Sequence, residues 1–243
     1  MSNQALVKEY QEWLNSKGVV KIATDGIFGR MTTAATLLTF ANKNVSKISQ
    51  AEIEEISSKI LLQKNPWRVQ AVAFVESSGS GWQKDGLPKI LYERHYFYRL
   101  TKGQFGTSEF SNASAGGYTL DADNDGINDS WEKMCMGAKF DIMAAFQSVS
   151  VSMFQVMVDH HEKLGYKRPW DMIWEISQSE KAHYELMARW IVLNGKIMAL
   201  SKIDGNPENC RDFAKFWNGS GYAEKGYHVK IAEVFKRFQQ IGK

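Results

Sequence analysis

Leu6, Val7, Tyr10, Trp13 and Leu14 recur at intervals of one, three and four residues, the spacing that gathers side chains on one face of a helix. Gly18 follows as its stop. Asp25-Gly26 predicts a turn, and Gly29 precedes a second helix whose inward face is expected to carry Ala34, Leu37, Leu38 and Ala41. A third helix opens with Ser49 and Glu52 at capping-box spacing, with Ile53, Ile56, Ile60 and Leu61 as its apolar stripe. Three short helices can close a small core of their own. Lys64-Asn65-Pro66-Trp67 then reads as a boundary, because Pro66 cannot continue the preceding helix and suits the first turn of the next. The expected division is therefore residues 1–64 and residues 65–243.

Beyond the boundary, Val69, Val72, Ala73 and Phe74 predict a deeply buried helix that ends at Glu76, where the run SSGSGW breaks it. Asp85-Gly86 predicts a turn, Ile90-Leu91-Tyr92 an extended run, and the aromatic stretch after it another helix. A carboxylate at a helix C-terminus faces the negative end of the helix dipole, and apolar neighbours oppose its ionisation. Both effects raise the pKa of Glu76, and a raised pKa suits a general acid that works near neutral pH. Further on, residues 170–202 read as a pair of amphipathic helices with core stripes of Trp, Ile, Leu and Met.

Composition narrows the class. Of 243 residues, 44% are hydrophobic and 23% charged, ordinary for a soluble globular protein. Thirty Lys and Arg against twenty-seven acids leave a net charge of +3, well short of a nucleic-acid signature. Cys135 and Cys210 form no disulfide framework and are expected as free thiols. The start MSNQALVKEYQEW has neither a basic n-region nor a continuous apolar h-region, and no run of about 18 apolar residues predicts a membrane span. Synthesis and folding in a cytosol, without membrane insertion, are the expectation. The segment DHHEKLGY fails as a zinc-protease motif, since Gly165 stands where the second ligand belongs; His160 and His161 are expected at the surface.

One acidic stretch does follow a metal pattern. In DADNDGINDSWE, Asp121, Asp123, Asp125, Asp129 and Glu132 fall at positions 1, 3, 5, 9 and 12, with Gly126 at position 6. Alternate carboxylates converge, the glycine allows the sharp turn, and a backbone carbonyl from Ile127 would complete a calcium loop. Asn128 stands where such loops carry an apolar residue. The competing reading is an acidic turn that caps the next helix.

Two resemblances give these features a setting. The stretches VKEYQEWLNSKG, TDGIFGRMT and LLTFANKN resemble the peptidoglycan-binding domain of cell-wall hydrolases, with Asp25 and Phe28 in its most specific stretch. Residues 69–243 resemble the N-acetylmuramidase domain of modular phage endolysins, through VQAVAFVESSGSGW, GLPKILYERHYFYRL, FQSVSVSMFQVM and RDFAKFWNGSGYAEKGYHVKIAEVFKRF. The fold implied is mostly α: a three-helix bundle, then a lysozyme-like α domain with a small β-excursion.

The activity implied is hydrolysis of the bond between N-acetylmuramic acid and N-acetylglucosamine, leading to host cell lysis, with Glu76 at the catalytic glutamate position. Asp85 and Glu93 are the candidates for a second acid, and the bland reading of Glu93 is an ion pair with Arg94 or His95. Tyr92, His95, Ser150, Gln155, Trp217, Asn218 and Tyr222 are candidates for contact with sugar. The sequence departs from the family at Val151, usually Trp, and at Ser152, usually Gly. No catalytic cofactor is implied, and calcium would serve stability alone. The implied setting is a monomer acting on periplasmic peptidoglycan with the help of a membrane-permeabilising partner. The rival readings are a lytic transglycosylase and a non-catalytic wall-binding protein.

Overall fold

The structure is a computed structural model and describes residues 1–77 and 80–241. Ser78 and Gly79, in the segment expected to break the helix after Glu76, lie outside the described residues, as do Gly242 and Lys243. In chain order the helices are α1 (Asn3–Ser16), α2 (Arg30–Phe40), α3 (Gln50–Glu55), α4 (Trp67–Glu76), α5 (Arg94–Leu100) and α6 (Asp129–Ala138). They continue with α7 (Ile142–Gln147), α8 (Pro169–Gln178), α9 (Glu180–Leu193), α10 (Ile197–Ser201), α11 (Pro207–Asn218) and α12 (Tyr227–Ile241). The strands are β1 (Ile90–Tyr92), β2 (Val149–Val151) and β3 (Val156–Met157), antiparallel in the order β1-β2-β3. Tyr92 pairs with Val149 and Ser150 with Met157. The expected mostly helical fold with a small β-excursion is what forms. No described helix is long and apolar enough to cross a membrane.

The chain forms two compact units, one of residues 1–45 with 82–178, the other of residues 46–81 with 179–243. The division expected at residue 64 is not the division of these units. The reason lies in what the first helices bury. Tyr10 of α1 packs against Phe146 at 5.2 Å and Trp170 at 5.0 Å, and Phe40 of α2 against Trp131 at 5.4 Å. Tyr10, Phe40, Phe146, Trp131 and Trp170 are all essentially inaccessible to solvent. Aromatic pairs of this kind add about 0.5–1.5 kcal/mol each beyond their buried area. Arg168 adds a paired contact, donating to both carboxylate oxygens of Glu9 at 2.7 Å.

Two expected faces are turned from their predicted direction. In α2 the buried residues are Thr32, Ala35, Thr36, Thr39 and Phe40, whereas Leu38 is 59% exposed and Ala34 is exposed. Thr32 and Thr36 tolerate burial because their hydroxyls find partners: Thr32 donates to the Ile27 carbonyl, and Thr36 donates to the Thr32 carbonyl and accepts from the Tyr10 hydroxyl. In α4, Phe74 is 52% exposed and lies against Phe238 and Arg237 of α12. His161, expected at the surface, is buried, with Nδ1 3.1 Å from the Val158 carbonyl, and burial lowers its pKa.

In the second unit, the capping box of α3 forms as expected between Ser49 and Glu52. The chain then continues through a π-turn at Ile56–Ile60 that packs on α9. α4 lies against α12, which also packs on α11. Arg68 fastens α4 to the turn after α10 by donating to the Ile203 carbonyl at 3.0 Å. Both cysteines are buried free thiols, one in each unit.

The turn after α1 depends on one amide. Gln11 is buried, its NH2 donating to Asp25, Thr32 and the Ile27 carbonyl, its oxygen accepting the Gly26 N–H at 2.8 Å. Gly26 has φ 76° and comes so close to Gln4 that a Cβ there would sit 2.7 Å from its carbonyl oxygen. Gln11→Ala strands buried partners and is expected to cost about 1–3 kcal/mol, whereas Leu38→Ala should change stability by less than about 0.5 kcal/mol; denaturant unfolding of the two variants checks both.

Candidate active site

Glu76 sits where α4 runs out of apolar sequence. Val69, Ala71, Val72 and Ala73 are buried along the helix, and the chain turns extended at Ser77, whose N–H still reaches the Ala73 carbonyl. That leaves the Glu76 carboxyl half-buried at the last helical position. Burial raises its pKa from the ordinary 4.5 to about 7, and two groups restrain the rise: the Asn218 amide and the Lys230 ammonium. Asn218 Nδ2 donates to Glu76 Oε1 at 2.9 Å. A carboxyl with a pKa near 7 is about half protonated at neutral pH. With Oε1 occupied as an acceptor, Oε2 is the oxygen placed to carry the proton.

The partner is placed by the end of another helix. α11 closes at Asn218, and Gly219, at φ 69°, turns the chain away in a conformation that glycine adopts readily. Trp217, expected to meet sugar, stacks on buried Phe213 at 5.8 Å. Tyr222 accepts from Arg211 through its hydroxyl and sets its ring edge against His228. Of the three candidates in WNGSGY, Asn218 is the one that touches Glu76. Lys230 of α12 was not foreseen; no local motif marks a lysine that acts at a distance through space.

In the first unit the two candidate acids differ. Asp85 Oδ1 accepts the Leu87 N–H at 2.9 Å, closing the turn in which Gln83 N–H also reaches the Leu87 carbonyl. Its carboxylate serves the turn. Glu93, just before α5, keeps a half-buried carboxylate whose Oε2 accepts from the Tyr118 hydroxyl at 2.6 Å and stands 3.2 Å from His95 Nδ1. Arg94 is no partner of Glu93; its guanidinium donates to the Ser114 and Ala115 carbonyls. Tyr118 escaped the sequence reading because it approaches from a loop 25 residues on.

Other expected contacts are absorbed by the fold. Tyr92 is 3% exposed and donates to the Phe110 carbonyl, so it is a core residue without a face for sugar. Ser150 donates to Gln155 Oε1, and Gln155 Nε2 donates to the Ser152 carbonyl, so the Gln155 amide braces the β2–β3 turn. Phe28 is buried against Tyr10, and Asp25 accepts from Gln11 and the Ile27 N–H; both hold the loop in place. In the acidic loop, one oxygen from each of Asp121, Asp123 and Asp125 lies within 4.8 Å of the others. Asp129 is engaged elsewhere, accepting from Thr119 and the Ala122 N–H beside Lys133. Glu132 has its pKa raised by burial and then by Asp123 and Asp125.

Residues 65–239 match the N-acetylmuramidase family. The chain belongs to that family. No curated protein matches it in sequence. Among solved structures it is similar in fold to the crystal structure of Burkholderia AP3 phage endolysin, with a TM-score of 0.72 and 24% identity over 98% of this chain and 96% of that one. The muramidase match makes the chain a lysozyme-type glycoside hydrolase of peptidoglycan, a class that generally needs no cofactor. The two departures from the muramidase pattern have local consequences. Val151 is fully buried opposite Ile90, and Ser152 holds φ 74°, left-handed backbone that favours the glycine usual at that position.

The raised pKa links Glu76 to stability. A carboxyl whose pKa is higher folded than unfolded stabilises the fold fully below its unfolded value, and that contribution is lost as pH climbs through the folded one. The window runs from 4.5 to about 7. Glu76→Gln should therefore gain melting temperature relative to the parent across that window and show no gain below it. Asn218→Ala should move the Glu76 pKa above about 7, as read by carboxyl NMR.

Proposed function

We propose that this muramidase is a phage endolysin in which Glu76 is the general acid that cleaves the bond between N-acetylmuramic acid and N-acetylglucosamine. The observation that carries the reading is the half-buried Glu76 carboxyl, its pKa near 7, with Asn218 on one oxygen. Glu76 gives its proton to the glycosidic oxygen as the bond to the anomeric carbon breaks and an oxocarbenium-like sugar develops. Water adds to that carbon, and its proton passes to a base. Asp85 and Glu93 are the candidates for that base: Oδ1 of Asp85 closes its turn, and Oε2 of Glu93 accepts from the Tyr118 hydroxyl.

Likeness to a phage endolysin along nearly the whole of both chains supports the lytic setting. In it, the protein is made in the host cytoplasm, works as a monomer on periplasmic peptidoglycan, and reaches it with a membrane-permeabilising partner. Residues 1–64 serve attachment to the wall. Support comes from the TDGIFGRMT loop, where Ile27 and Met31 stand 63% and 71% exposed beside a cavity of about 380 Å³. Calcium is held by Asp121, Asp123 and Asp125 and stabilises the loop without entering the chemistry. Backbone N–H groups of Asp125 and Gly126 already draw Asp121 inward.

Glu76→Gln should lower the rate on purified peptidoglycan by about 10²–10⁴-fold with wall binding retained; an unchanged rate removes Glu76 from the mechanism. Mass spectrometry of the digest should show new reducing N-acetylmuramic acid ends, and anhydro ends would make the protein a transglycosylase. Excess Ca²⁺ over chelator should raise the melting temperature by linkage, and Asp123→Asn should remove the shift; no shift in the parent makes the loop a plain turn.

A further inference from the structure

A cavity of about 610 Å³ opens in the first unit, between residues 82–91 and the acidic loop 120–128. Its size falls within the range of small-molecule and short-peptide sites. Its walls are aliphatic: Leu91, Ile127, and Leu120, which is 80% exposed. Lys84 and Lys89 lie on the 82–91 side and Asp121 on the loop side.

The lining does not suit a sugar ring. Pyranose rings stack on aromatic faces, and Trp82, the one aromatic residue in the lining, is only 8% exposed. The Gln155 amide, which also lines the cavity, is spent on Ser150 and Ser152. What the lining matches is a short chain with methyl groups and free carboxylates. A peptidoglycan stem peptide has both: alanine methyls and the carboxylates of glutamate and diaminopimelate.

We propose that this cavity binds the stem peptide that muramic acid carries, with Leu91, Leu120 and Ile127 against alanine methyls and Lys84 and Lys89 on carboxylates. The inference rests on peptidoglycan being the substrate. It adds that the enzyme reads the peptide as well as the glycan, so a peptide-bearing strand is its preferred substrate.

The test titrates the tetrapeptide L-Ala-γ-D-Glu-meso-diaminopimelyl-D-Ala into the full chain and follows the methyl signals of Leu91, Leu120 and Ile127. Saturable shifts at these residues are expected. Lys84→Glu/Lys89→Glu should weaken binding at least tenfold, and so should Leu120→Asp, a change at an exposed position that leaves the core intact. In parallel, the parent should cut intact peptidoglycan at least tenfold faster than glycan stripped of peptide by an amidase. The lysine double variant should lose that preference while its rate on stripped glycan stays unchanged. Absence of shifts at these residues, or indifference to both variants, overturns the proposal. Failure to cut either substrate would instead overturn the hydrolase reading, leaving the peptide site to be decided by the titration alone.

Discussion

The chemistry proposed for Glu76 turns on withholding water from one carboxyl without withholding it entirely. Glu76 lies at the end of a helix whose other residues supply an apolar bed, and that bed makes the charged form costly. Burial alone would carry the pKa higher. Asn218 and Lys230 favour the ionised form and hold the value near 7, close to the operating pH at which a general acid is most effective. Each of the three groups comes from a different helix, so the position of α11 and α12 against α4 sets an acidity. Gly219 contributes by ending α11 at the residue whose amide is needed.

The other acids show how hydrogen bonds sort carboxylates that look alike in sequence. Asp85, Glu93 and Asp129 are all acids beside turns or helix starts. Asp85 closes its own turn through one oxygen, and Asp129 ties the acidic loop to the start of α6 through Thr119, Ala122 and Lys133. Glu93 is held instead by a side chain, the Tyr118 hydroxyl, which orients a carboxylate without fixing it to the backbone. A carboxylate oriented in this way can still accept a proton from water.

The first helices and the helix that ends at residue 76 were legible because their signals are local. The stripe of α1, the Ser49–Glu52 capping box and the apolar run that stops at Glu76 each lie within one stretch of chain. Direction of burial was less legible. α2 presents Thr32 and Thr36 inward because Gln11, Tyr10 and backbone carbonyls satisfy their hydroxyls, and hydrophobicity alone points to Leu38 instead. β2 and β3 were not predicted, since two and three residues are too short to show alternation. Partners distant in sequence were invisible as partners: Asn218 lies 142 residues from Glu76 and Tyr118 25 from Glu93. Tyr92 and Gln155 were of the right type for a sugar site, and backbone and neighbours claim them first.

The first forty-five residues show that a motif boundary and a core boundary are different things. TDGIFGRMT has the character of a self-contained binding module, and the family match begins only at residue 65. Yet the ring of Tyr10 lies among Phe28, Phe146 and Trp170, and that of Phe40 beside Trp131. Large rings buried on both sides of such a contact cannot be separated without exposing both, and exposure of each buried ring costs about 1.5–3 kcal/mol. Through this shared core, residues 1–45 are packed into the unit that holds Glu93 and the 610 Å³ cavity.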